Sequence, residues 1–306
     1  MNRRQFLSSA VAICATSRLG AALSAEKERH PLLPTVRWGG HEITRLLVGH
    51  NPIKGVSHYS DQLSQEMRQW FAADAERTLQ LLRRCQQVGI NACQMGFRPG
   101  ERVLIEETLR KHYREGGTLK WIASFYALPT DRETAKEELA RILQMEPRPL
   151  GIQQVGNTTD ALLKEGKMDL ALENLKRFRD AGVLVGLGSH NHEAIDYAAS
   201  KAWDVDFYQC SFYRSVFSPK PPRAGELFED EDRQAMVRTI RQVSKPCIAF
   251  KVLGGNRHCA SPESVEKALR FAFENIKAVD VLLVGMWQKH QDQAAENASI
   301  VRKILA

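Results

Sequence analysis

The chain has no C-x-x-C pair, and its six cysteines (Cys14, Cys85, Cys93, Cys210, Cys247 and Cys259) show no paired spacing. This argues against a zinc or iron–sulfur module and makes a poor disulfide framework. Cys93, Cys210 and Cys247 sit in strand-like runs, where a thiol serves as a small core residue. No apolar run is long and clean enough to span a membrane, since the stretch at 6–22 is broken by Ser8, Ser9, Thr16, Ser17 and Arg18. No run of Lys and Arg interleaved with aromatics occurs, so nucleic acid is not an expected partner. No GxGxxG turn follows the first strand-like run, where the chain reads Gly49-His50-Asn51-Pro52-Ile53-Lys54-Gly55.

What the chain does have begins with Asn2-Arg3-Arg4-Gln5-Phe6-Leu7, the twin-arginine pattern of an export signal, with small residues at Ala22, Ser24 and Ala25 for cleavage. The expectation is a signal peptide over 1–25, the twin-arginine export machinery as partner and a periplasmic or otherwise exported product. Removing 1–25 takes away Arg3, Arg4 and Arg18 and no acid, which lowers the net charge from +7 to +4. A linker over 26–42, with Pro31 and Pro34, leads to the rest.

From residue 43 to 306, short apolar runs alternate with segments of helical period. The strand-like runs are 43–49, 91–95, 120–125, 151–155, 183–187, 205–212, 246–253 and 279–284. The helical segments are 73–88, 102–115, 131–145, 168–180, 192–201, 230–243, 261–275 and 291–305. Glycine or proline closes several of them, and Ser261-Pro262 opens the seventh. Eight β-then-α units predict a single (β/α)8 TIM barrel, an α/β fold, over 43–306. Two connections, 50–72 and 213–229, read as long loops on the catalytic face.

In such a barrel the chemistry stands at the carboxyl ends of the strands. Those ends offer His50 and Asn51, Gln94, Ser124 and Tyr126, Gln153 and Gln154, Ser189 and His190, Gln209 and Tyr213, Lys251, and Trp287. Carboxylates are missing from this set, which disfavours a two-carboxylate glycosidase or a magnesium site. His50, His190 and His192 are conceivable zinc ligands, but no metal is expected, because His192 opens a helix. Lys251, in the apolar run before Gly254-Gly255-Asn256-Arg257-His258, has three readings: a Schiff-base nucleophile, a fixed charge for an anion together with Arg257, or a structural cation. His50, His190, Tyr213 and Lys251 are the candidate catalytic groups for a small-molecule substrate.

Three patches carry a resemblance. Residues 279–286 (Val-Asp-Val-Leu-Leu-Val-Gly-Met) are followed by Glu296-Asn297; Gly186-Leu187-Gly188-Ser189-His190-Asn191 lies at the fifth strand, and Gln209 at the sixth. The chain resembles the aldo-keto reductase superfamily over about residues 43–306. The resemblance implies NAD(P)H as cofactor. Ser189 and Gln209 would hold the nicotinamide, Gly285, Glu296 and Asn297 the adenosine half, and Lys251 and Arg257 would lie near the phosphates. It departs from the family at the catalytic tetrad. Gln94 stands for the Asp, Phe125 for the Lys and Gly156 for the His, and no Tyr occurs within 96–101. The expected activity is therefore oxidoreduction of a small carbonyl compound or sugar with rebuilt catalytic residues. The alternatives are a cofactor-free lyase, aldolase or isomerase using Lys251, and a non-catalytic ligand-binding barrel.

Overall fold

The computed structural model describes residues 30–74, 76–97, 102–214, 216–217 and 226–306. The twin-arginine stretch and its cleavage region lie outside the described residues.

The expected barrel is observed. Strands β3 (Leu46–Gly49), β4 (Ala92–Gly96), β5 (Lys120–Phe125), β6 (Gly151–Gln154), β7 (Leu184–Ser189), β8 (Phe207–Ser211), β11 (Cys247–Phe250) and β12 (Val281–Gly285) close into one parallel ring. The strands are short, almost wholly buried and rich in Val, Ile, Leu, Cys and Gly, as sheets covered on both faces require.

Two expectations at the start of the chain need correction. The linker over 26–42 is in part a hairpin, in which β1 (Thr35–Trp38) pairs antiparallel with β2 (His41–Thr44). The run at 43–49 is not one strand: Ile43 and Thr44 belong to β2, and the barrel strand starts at Leu46. The physical reason is an open barrel floor. Trp38 and Ile43 are buried against Leu47, Ala92, Ile122, Phe207, Ile248 and Val281, which fill the lower barrel interior. The Trp38 indole stacks on Phe207 with centroids 5.4 Å apart and donates Nε1–H to the Val279 carbonyl.

The helices form the outer layer: α1 (Asp61–Ala72), α2 (Glu76–Gln87), α3 (Arg102–Arg114), α4 (Arg132–Leu143), α5 (Gly156–Lys164), α6 (Ala171–Asp180), α7 (His192–Ser200), α8 (Asp230–Gln242), α9 (Pro262–Asn275) and α10 (Gln293–Leu305). Two of them were not foreseen. The connection at 50–72 contains α1, capped by Ser60, whose side chain accepts from Leu63 N–H. A short helix, α5, follows β6 directly. The loop at 213–229 holds a paired two-residue strand at each end, β9 (Val216–Phe217) and β10 (Glu226–Leu227). The run at 246–253 ends as a strand at Phe250, so Lys251 is the first residue of the turn. Among the described residues no helix is long and apolar enough to cross a membrane. Cys85, Cys93, Cys210, Cys247 and Cys259 are free thiols.

Candidate active site at the strand ends

Strand alternation decides what the barrel mouth presents. With Leu47, Ala92, Ile122, Phe207 and Ile248 facing the axis, so do the residues two further on: Gly49, Gln94, Ser124, Gln209 and Phe250. All five line one cavity of about 1060 Å³ at the carboxyl ends of the strands.

The floor of that cavity is a set of amides. Gln94 and Gln209 exchange hydrogen bonds across the barrel, at 2.6 and 3.2 Å. Gln153 donates to Ser124 Oγ at 3.4 Å, and its Oε1 is buried with no hydrogen-bond partner. Gly188 makes room for it, since a Cβ there would lie 2.4 Å from that oxygen.

One wall carries a tyrosine between a lysine and a histidine. Lys54 Nζ donates to Tyr126 Oη at 3.0 Å, and His50 Nε2 lies 3.3 Å from the same oxygen. His50 Nδ1 faces the Gln94 carbonyl at 3.1 Å, and a carbonyl only accepts. Nδ1 therefore carries the hydrogen, and Nε2 accepts from the phenol. Tyr126 is fixed from behind by Glu138 of α4, whose buried carboxylate accepts from the Tyr126 and Ala127 N–H groups at 3.0 and 2.7 Å. Gly96 gives the phenol its place: a Cβ there would come within 2.6 Å of Tyr126 Oη.

The same cavity is lined by His190, just past β7. Its Nδ1 lies 2.7 Å from Asp160 Oδ2, and Asp160 Oδ1 accepts from Ser189 Oγ at 2.5 Å and from His190 N–H at 3.1 Å. Asp160, on α5, lines the cavity. The expectation that the mouth lacks carboxylates is thus corrected: a helix invisible to strand-end reasoning supplies one, and Asp61 and Glu296 also line the cavity.

Among the other sequence candidates, Gly285, Glu296 and Asn297 line the cavity, with Asn297 buried in the first turns of α10. Lys251 lines it too, with Nζ 3.5 Å from His58 Nδ1 and 5.4 Å from the centre of the Phe228 ring. Its φ of +58° places a non-glycine residue in the left-handed region, where side chains are rarely held without other constraints. Arg257, Tyr213 and Ser189 do not line the cavity. Arg257 donates to the His58 and Gly254 carbonyls and stacks on Phe228, clamping the loop. Tyr213 is 1% exposed, with its hydroxyl 3.0 Å from His258 Nε2. Burial pushes its phenol up and the His258 imidazole down, the latter with help from Arg233. Ser189 points outward, as alternation demands, and its hydroxyl serves Asp160.

Sequence reasoning passed over Lys54 and Asp160, and it named Tyr126 only as a strand-end residue. The junction 50–55 does contain a His and a Lys four apart, and that was the available signal. Cys259 also lines the cavity, but burial holds its thiol up at about 11, so it is protonated at neutral pH. Among the described residues no three metal-binding side chains come together, and His192 pairs instead with Asp196.

No protein-family model matches the chain, and no curated protein matches it. The structure is similar to glycerol dehydrogenase AKR11B4 of Gluconobacter oxydans, with 13% identity, a TM-score of 0.56, and coverage of 89% of this chain and 95% of that one. It is similar to the holo form of aldo-keto reductase AKR11C1 of Bacillus halodurans, with 13% identity, a TM-score of 0.55, and coverage of 90% and 96%. A truncated 3-deoxy-D-arabino-heptulosonate 7-phosphate synthase of Thermotoga maritima also matches, with 12% identity, a TM-score of 0.50, and coverage of 90% and 92%. The likeness is one of fold. Barrels of this kind host many chemistries, so function is argued from the site.

Proposed function

We propose that the protein is an exported, NAD(P)H-dependent reductase of small hydroxylated carbonyl compounds, sugars among them, with Tyr126 as proton donor. The observation that carries this reading is the Tyr126 hydroxyl set between Lys54 Nζ and His50 Nε2 at the cavity wall.

The cavity residues fit the cofactor. Gln153 lines the cavity beside the Gln94–Gln209 pair, and amides there suit a carboxamide, which both donates and accepts. Gly285, Glu296 and Asn297 would hold the adenosine half, and Lys251 would lie near the phosphates. When bound, the nicotinamide supplies hydride to the carbonyl carbon. Tyr126 binds the carbonyl oxygen and gives it a proton, turning its hydrogen bond from His50 to the substrate. The Lys54 ammonium stabilises the phenolate left behind, a preorganised charge where charge develops. His50, hydrogen-bonded to the Gln94 carbonyl, keeps the phenol oriented. The amide floor suits substrates with several hydroxyl groups, because each amide both donates and accepts.

NADPH and NADH titrations, read by quenching of Trp287 at the cavity, test the cofactor. Absence of binding by both overturns the reading. Export is tested by replacing Arg3 and Arg4 together with lysine, which should retain the protein in the cytoplasm on cell fractionation.

A further inference from the structure

The reductase chemistry proposed above leaves Asp160 and His190 unused. His190 Nδ1 is committed to Asp160 Oδ2, so the ring presents Nε2 elsewhere, and the residue lines the same cavity as Tyr126. Nε2 makes no hydrogen bond to any described residue, and the ring edge is braced by Phe250 in a T-shaped contact with centroids 5.3 Å apart. Asp160 is itself fixed by Ser189 Oγ and the His190 N–H. A carboxylate bound to Nδ1–H holds the imidazole in the tautomer whose Nε2 lone pair is available as a base. One cavity thus holds a donor for a carbonyl oxygen and, separately, an oriented base.

We propose that this pair gives the site a second, redox-neutral activity: interconversion of α-hydroxy aldehydes and ketones through an enediol, with His190 as base and Asp160 as its positioning residue. His190 Nε2 takes the hydrogen from the hydroxyl-bearing carbon next to the carbonyl. The C–H electron pair becomes the carbon–carbon double bond, and the carbonyl oxygen takes the Tyr126 proton. In the return step the neighbouring hydroxyl gives its proton back to Tyr126 and becomes the new carbonyl. His190 hands its proton to the former carbonyl carbon. No oxidant, reductant or metal enters the balance. From the preceding reading the step borrows the carbonyl-binding and proton-donating role of Tyr126, and it needs no nicotinamide.

The test is hydrogen exchange in heavy water without NAD(P)H, with dihydroxyacetone, D-glyceraldehyde, D-fructose and D-glucose as probes, followed by proton NMR. The wild type should place solvent deuterium at the carbon next to the carbonyl of at least one probe. His190→Gln should reduce that rate about 100-fold, with an unchanged unfolding midpoint. Asp160→Asn should reduce it about 10-fold. Nitrogen-resolved NMR of labelled histidine should show the Nδ1–H tautomer of His190 in the wild type and its loss in Asp160→Asn. No exchange with any probe, or equal exchange in His190→Gln, overturns the proposal. Because nicotinamide is absent, that failure is separate from a failure to bind or use NAD(P)H.

Discussion

Tyr126 Oη accepts a hydrogen bond from Lys54 Nζ at 3.0 Å, although the two residues lie 72 positions apart and on different β-to-α connections. Lys54 also places its ammonium 4.7 Å from the centre of the Tyr126 ring, so the lysine holds the phenol by two contacts. Tyr126→Phe should lower kcat for NADPH-dependent reduction about 100- to 1,000-fold, the range for removing a positioned general acid. Lys54→Met should lower it by a similar factor. NADPH affinity measured by fluorescence should stay within about threefold in both, a change under 1 kcal/mol.

Gly96 is the position at which the smallest change should move the phenol. An alanine Cβ there would sit 2.6 Å from Tyr126 Oη and 2.8 Å from Ser124 Cβ. Gly96→Ala should therefore reduce kcat at least about 10-fold and destabilise the fold by about 1–3 kcal/mol, the usual cost of overpacking. Steady-state kinetics and urea unfolding read the two effects.

Lys251 stands beside His58 on the cavity wall. Lys251→Met should weaken NADPH binding about 10-fold, as loss of one phosphate contact worth about 1.4 kcal/mol would do. The loss should be larger at low salt. Borohydride treatment with ketoses should leave no adduct on Lys251 by intact mass.

The Trp38 plug should matter for stability and not for chemistry. The side chain is 3% exposed and closes the floor opposite the cavity. Trp38→Ala should cost about 3–5 kcal/mol in denaturant unfolding, typical for an aromatic removed from a core. Activity per folded molecule should remain unchanged.

His112 sets a pH dependence. It is 2% exposed, both ring nitrogens lack partners, and burial, with Arg83 adding to it, holds its imidazole down at about 4. The folded state therefore resists a proton that the unfolded chain takes near its ordinary value of about 6.5. Stability is fully present above about pH 6.5 and is lost as pH falls toward about 4, at about 1.4 kcal/mol per pH unit and about 3 kcal/mol in all. The unfolding midpoint should drop between about pH 7 and about pH 4.5, and His112→Phe should flatten that part of the profile.

How much of this was legible depended on how local the signal was. Strands β5 and β7 show as continuous apolar runs bounded by turns, and Ser261-Pro262 marks the start of α9 in the sequence. The hairpin was missed because Pro31 and Pro34 disguised it and because its partner, the barrel floor, is assembled from residues as distant as Ile248 and Val281. Asp160 was missed because α5 opens with Gly156-Asn157-Thr158-Thr159, residues of loop type, directly after β6.

The sequence by itself determined the barrel. The alternation of buried strand and amphipathic helix is written along the chain, and burial of each apolar face leaves few ways to close it. It also determined which strand-end groups were available: glutamines, serines and histidines. Only the tertiary structure decided which of them meet. Alternation along β7 turns Ser189 outward, the bend just past the strand brings His190 to the cavity, and the turn at Lys251 carries it out of its strand. Lys54 and Tyr126 come together because parallel β3, β4 and β5 lie side by side, a proximity no local pattern encodes. Tyr213 and Arg257, plausible from sequence, became clamps of the loops because their ends found His258 and the backbone at His58 and Gly254.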